Sequence, residues 1–181
     1  MRLILLLLLI ACAAAPASAQ EARRRWEMQR QIRLDKFDQV LPRVMRAHAI
    51  DMWIVAVKEN HREPLWEDLG RGYVSGVGYY VFTDRGGERI ERAALGPSGY
   101  LIEESGAYDI FAPASQLAEF VRARNPQRIG VNMSDEIGPA DGLSSRQLPA
   151  AGDSVASASS ARILPVVITT TGVVADVMSS K

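Results

Sequence analysis

Met52-Trp53-Ile54-Val55-Ala56-Val57 is an unbroken apolar run, ended by Lys58-Glu59-Asn60. It is too short for a globular helix and carries two valines and an isoleucine, so it predicts a strand buried at the centre of a sheet. Such a strand needs cover on both faces and partners on both sides.

Before the run, Phe37, Val40, Leu41, Val44, Met45 and His48 recur at three- and four-residue spacing, and Arg30, Arg33, Lys36 and Arg43 fall mostly off that stripe. The spacing predicts an amphipathic helix over Glu27 to His48, kinked or split by Pro42. After the run, Tyr79 to Thr83 predicts a second strand. Asp84-Arg85-Gly86-Gly87 supplies a turn, and Arg89 to Leu95 completes a hairpin. Tyr100 to Glu103 reads as a further short strand. Pro113 and Ser115 open a helix through Arg124, with Leu117, Phe120 and Val121 on one face and Asn125-Pro126 as its stop. Ile129 to Asn132 follows as a strand. The order predicts an α/β domain: a mixed central sheet flanked by helices.

All twelve aromatic residues lie between Trp26 and Phe120, and none lies from Leu143 to Lys181. Aromatics supply much of the apolar area of a core, so the composition divides a folded unit, 20–142, from a tail, 143–181. Ser154 to Ser160 is small-residue low complexity. Pro165 to Val177 has strand propensity and reads either as one edge strand or as an apolar strip with no partner.

The first nineteen residues read as an export signal. Arg2 gives a minimal positive region, Leu3 to Ile10 a short apolar core, and Ala17-Ser18-Ala19 a small-residue cleavage site. The expected location is periplasmic or secreted, with no transmembrane span after cleavage. Leu9-Ile10-Ala11-Cys12 also resembles a lipobox, and the alternative is a lipoprotein anchored through Cys12. That is the only cysteine, so the mature chain has no disulfide framework, thiolate catalysis or cysteine metal site. Lys plus Arg and Asp plus Glu both total 21, interspersed, which argues against a nucleic-acid partner.

Two histidines are available for chemistry. His48 falls on the apolar face of the first helix and reads as a core or boundary residue. His61 lies in Glu59-Asn60-His61-Arg62-Glu63, a polar loop at the end of the central strand, where ligands of α/β sheets commonly bind. Glu59, His61 and Glu63 suggest a metal or acid–base cluster, yet alternating residues of an extended loop point to opposite sides. A solvated or interface loop is the reading preferred for these residues. Gly70 to Gly78 contains four glycines among Tyr73 and Val74 but neither a dinucleotide fingerprint nor a Walker lysine, so tight turns and close backbone approach explain it.

Several strings together resemble a known family. Arg33-Leu34-Asp35-Lys36-Phe37 leads into Met52-Trp53-Ile54-Val55 and Lys58-Glu59-Asn60; Tyr80-Val81-Phe82-Thr83-Asp84-Arg85-Gly86-Gly87 follows, and later Arg128-Ile129-Gly130-Val131-Asn132. In this order they resemble the N-terminal domain of the creatinase/prolidase/Xaa-Pro aminopeptidase metallopeptidases, over about Trp26 to Gly142. Where that family has tyrosine-leucine-threonine-glycine, this chain has the merely similar Tyr73-Val74-Ser75-Gly76. The resemblance implies a non-catalytic accessory domain that restricts which peptides enter and helps build a dimer. Glu59, Asn60, His61 and Arg62 are then the candidate gating or interface loop. It also implies that hydrolysis belongs to a following catalytic domain, with two Asp, one His and two Glu on a dinuclear metal centre. No histidine follows His61, and after Asp141 the only acids are Asp153 and Asp176, so no catalytic or metal residue carries over and no cofactor is expected in this chain. The tail then reads as a low-complexity end or a frame-shifted continuation. The expected partners are a second copy or a catalytic metallopeptidase domain. Two alternatives stand beside this: an exported stand-alone module that binds a peptide or small ligand, and a small hydrolase using His61 with Glu59 or Glu63.

Overall fold

The computed structural model describes residues 2–61, 65–133, 162–169 and 172–174, with side chains placed for 19–61 and 65–132. The chain opens with helix α1 (Arg2–Asp35), a π-helical turn (Lys36–Val40) and α2 (Leu41–Ala47). Pro42 has no N–H to return to the Asp38 carbonyl, and the ladder widens just before it: the Leu41 N–H donates to Lys36 O, five residues back. The predicted break therefore falls one turn upstream of the proline. Arg23 and Arg25 sit on α1 in exposed pairs with Glu27 and Glu21.

The apolar run becomes β1 (Met52–Lys58). It is followed by a helical turn α3 (Trp66–Leu69), β2 (Val77–Thr83), β3 (Glu91–Leu95), a helical turn α4 (Tyr100–Glu103) and β4 (Ile110–Ala112). A 3-10 turn (Ala114–Gln116) leads into α5 (Leu117–Arg124), and β5 (Arg128–Met133), β6 (Arg162–Thr169) and β7 (Gly172–Val174) complete one mixed sheet in the order β4-β3-β2-β1-β5-β6-β7. β1 lies antiparallel to β2, Met52 opposite Thr83, and parallel to β5, Met52 opposite Ile129. The α/β class and the helix-flanked mixed sheet are as the sequence predicts.

Alternation along β1 sorts two cores. Val55 and Val57 join Tyr80, Phe82 and Ala94 under Phe37, Leu41 and Met45 of the N-terminal helices. Met52, Ile54 and Ala56 join Val81, Ala93 and Leu95 against Leu117, Phe120 and Val121 of α5. The result is three layers, helix, sheet and helix, each sheet face dry because every second residue of β1 and β2 is apolar.

Three sequence expectations change. Tyr100–Glu103 is a helical turn, not a strand: the positive φ of Gly99 (116°) redirects the chain, its N–H donates to Glu103 Oε1 at 2.9 Å, and only Ile102 of the turn is buried. The strand comes later, as β4 beside β3. Arg33, expected off the apolar stripe, is buried. Its guanidinium donates to the Asp68 and Glu67 carbonyls (2.9 and 3.0 Å), which end α3, while Tyr108 and Tyr80 donate to the Leu69 and Gly70 carbonyls (2.6 and 3.1 Å). Three side chains from distant elements thus satisfy the end of a single-turn helix. Gly70 is required there, with φ at +105° and Arg33 packed across it. The third change concerns the strand-forming stretch after Pro165. β6 is neither an edge strand nor without a partner, because it pairs in parallel with β5 from Arg128–Arg162 to Met133–Val167 and carries β7 on its other side. β7 reaches only Val167 to Thr169, so beside Pro165 that side of β6 has no ladder partner among the described residues. The Ser154 to Ser160 stretch lies outside the described residues.

One surface pair ties α2 to the β2–β3 turn. Arg46 Nε donates to Asp84 Oδ2 (2.7 Å) and Nη2 to Oδ1 (3.2 Å). The Arg46 hydrogen bonds hold the Asp84 carboxyl below the ordinary carboxylate range against the opposing effect of burial, and the Gly86 N–H adds to them. A depressed folded-state pKa adds stability that is complete above the unfolded value of about 4 and is lost as pH falls through the lower folded value. Asp84→Asn is accordingly expected to be less stable than the parent at pH 6, with a narrower gap at pH 3. Urea melts at both pH values check this, and a gap as wide in acid contradicts it.

Candidate functional site

The candidate loop begins where β1 ends. His61 N–H donates to Lys58 O at 3.2 Å, closing a tight turn with Asn60 at φ 60°, a conformation that asparagine tolerates. Glu59 extends the β1–β2 ladder by one step. Its N–H donates to Gly76 O (2.8 Å), and its carboxylate accepts the Gly76 N–H (2.9 Å). The His61 ring lies 3.1 Å from the Glu59 backbone carbonyl through Nδ1, a contact that forms when Nδ1 carries the proton. Glu59, Asn60 and His61 are all exposed; Arg62 and Glu63 lie outside the described residues.

This geometry brings Glu59 and His61 together only through the backbone. Glu59 Oε2 accepts the Gly76 N–H, and no hydrogen bond joins the Glu59 carboxylate to the His61 ring among the described residues. Among the described residues no group of three or more His, Cys, Asp or Glu side chains is placed to hold a metal ion. The donor set of a dinuclear centre therefore does not fit these residues. His48 is half-buried at the end of α2.

An apolar groove of about 290 Å³ is lined by Phe37, Val40, Leu41, Val44, Trp53 and Leu65, and includes none of the turn's residues. Val40 and Val44 are 41% and 43% exposed, unusual for β-branched side chains flanking a tryptophan, and Met28 and Ile32 continue the exposed apolar row along α1. Trp53 stands opposite Gly130 in the β1–β5 pairing, so the neighbouring strand offers it no side chain. Lys36 and Asp68 pair at 2.6 Å on the rim. The helical period that placed Val40 and Val44 on the stripe gave no sign that the stripe overhangs the sheet.

Sequence reasoning also missed a polar cleft at the opposite end of β1, around Asp51, Thr83 and Arg85. The only signal was a threonine closing an otherwise apolar strand. No helix among the described residues is long and apolar enough to cross a membrane. Comparison with family models, with curated proteins and with solved structures yields no match.

Proposed function

We propose that the chain is a non-catalytic accessory domain of an exported Xaa-Pro-type metallopeptidase, serving substrate gating and association. The observation that carries this reading is the spatial grouping of the strings behind the resemblance. Met52–Val55, Tyr80–Gly87 and Arg128–Asn132 fall on β1, β2 with its turn, and β5, three adjacent strands. The Arg33–Phe37 string packs on them, with the Phe37 ring 5.1 Å from that of Phe82. The exposed Val40–Val44 groove gives association an apolar surface, and the exposed Glu59–His61 turn is the candidate to meet a peptide.

Two experiments test this. The first reads the gene after codon 142 in the other frames, where this reading expects Asp, Asp, His, Glu and Glu in the spacing of a dinuclear site. The second incubates the purified chain with a proline-containing peptide and Mn²⁺, and the expected rate is the uncatalysed one. A chelator-sensitive rate abolished by His61→Ala would overturn the reading in favour of a small hydrolase.

One observation favours a second reading, a stand-alone exported binding module: β6 pairs with β5 over six positions. A module of that kind keeps residues 162–174 intact under limited proteolysis, whereas a dispensable tail is removed first.

A further inference from the structure

Met28, Ile32, Lys36, Val40 and Val44 follow one another at four-residue spacing along α1, the π-helical turn and α2. The four apolar members are 51%, 48%, 41% and 43% exposed, and Lys36 is exposed between them. A row spaced by four drifts around a straight α-helix, because one turn takes only about 3.6 residues. The π-helical turn over Lys36–Val40 takes more residues per turn, and it brings Val40 and Val44 back toward the face of Met28 and Ile32. One outward ridge results, with two apolar residues on either side of a lysine.

The ridge reads the same from either end. A two-fold axis through Lys36 therefore sets Met28 of one copy against Val44 of another, and Ile32 against Val40, so that every rung but the central one is apolar on apolar. The central rung is complementary in charge. Lys36 Nζ lies 2.6 Å from Asp68 Oδ1, so each copy brings one cation and one anion to the axis, and each lysine gains a second carboxylate from across it. Ridges of this spacing pack into the grooves beside them, and Val40 and Val44 wall the groove over Trp53 that such a ridge enters. An unrelated partner would need neither the symmetric order nor the paired opposite charges. We propose that this ridge is the contact of a two-fold dimer of the chain. The dimer deepens the association half of the function proposed above and rests on it only there: a monomeric chain whose gene encodes the metal ligands in another frame would fail here and not there.

Sedimentation velocity of the full chain over a range of concentrations tests the dimer. A reversible monomer–dimer equilibrium is expected, with nothing larger. Ile32→Glu and Val40→Lys, both exposed changes, are each expected to weaken self-association at least tenfold and to leave the circular dichroism spectrum unchanged. Mixed together, these two chains are expected to associate at least tenfold more tightly than either does alone, because position 32 of one copy meets position 40 of the other. Met28→Lys with Val44→Glu is the equivalent pair at the outer rungs, to be used if either inner variant loses its fold. A chain that stays monomeric, assemblies that grow past the dimer, single variants that self-associate like the parent, or a mixture no tighter than its components would each overturn the proposal.

Discussion

Phe82→Ala is expected to cost about 3–5 kcal/mol, the range for removing a fully buried aromatic side chain that cannot be replaced by collapse of its neighbours. Phe82 has no exposed surface, and its ring centroid lies 5.1 Å from Phe37, 5.5 Å from Trp53 and 6.4 Å from Tyr108. These four rings come from the π-turn, β1, β2 and the approach to β4, so one truncation loosens every layer on the helical side of the sheet. Domains of this size are stable by about 5–15 kcal/mol, so the loss removes a large share of the total. Urea titration followed by Trp53 fluorescence measures the loss. A shift worth less than about 1 kcal/mol would mean that the aromatic cluster does not hold the helices to the sheet.

The second large effect falls on Asn132→Leu, a change that keeps the volume and adds apolar surface. β1 and β5 pair through Met52–Ile129, Trp53–Gly130 and Ile54–Val131, and beyond that point a side chain takes over. Asn132 Oδ1 accepts the Ala56 N–H at 2.9 Å, and its Nδ2 donates to Ala56 O at 3.3 Å. Both residues are fully buried, so leucine leaves a buried donor and a buried acceptor without partners, at about 1–3 kcal/mol each. The expected loss is about 2–5 kcal/mol despite the gain in hydrophobicity. Hydrogen exchange gives a local readout: the Ala56 amide loses protection in the variant, while Val81, paired with Ile54 on the other side of β1, keeps its own until global unfolding. An Ala56 amide as protected as before would show that the Asn132 amide is dispensable to the sheet.

Much of this architecture can be read from local patterns. Met52 to Val57 announces a central strand because a strand buried on both faces has no room for a polar residue. Asp84-Arg85-Gly86-Gly87 announces the β2–β3 turn because Asp84 Oδ1 accepts the Gly86 N–H at 2.9 Å within two residues. Asn125 announces the end of α5 because asparagine tolerates the left-handed conformation that stops a helix. Each of these outcomes depends on groups within a few positions of one another.

The misread elements have two causes. Tyr100 to Glu103 has the composition of a strand, and what turns it into a helix is local: Gly99 at positive φ with the Glu103 carboxylate accepting its N–H. Arg33 looked like a solvated helix residue because its acceptors, the carbonyls of Glu67 and Asp68, lie more than thirty residues away. The candidate site divides in the same manner. The polar turn after β1 was legible, since it ends an apolar run. That Glu59 holds Gly76 rather than His61 follows only from the β1–β2 register.

The sequence by itself thus determined the class of fold, the central strand, the hairpin and the stop of α5, all consequences of alternation, apolar periodicity and turn chemistry acting over short range. Only the tertiary structure decided which polar groups are spent and which remain free. The Glu59 carboxylate is used to clamp a strand, Arg33 to finish a helical turn and Asn132 to splice two strands, while Thr83 Oγ1 and the Arg85 guanidinium have no partner among the described residues. A buried polar atom's partner is set by whatever the fold brings to it, and the neighbouring residues in the chain do not reveal what that is.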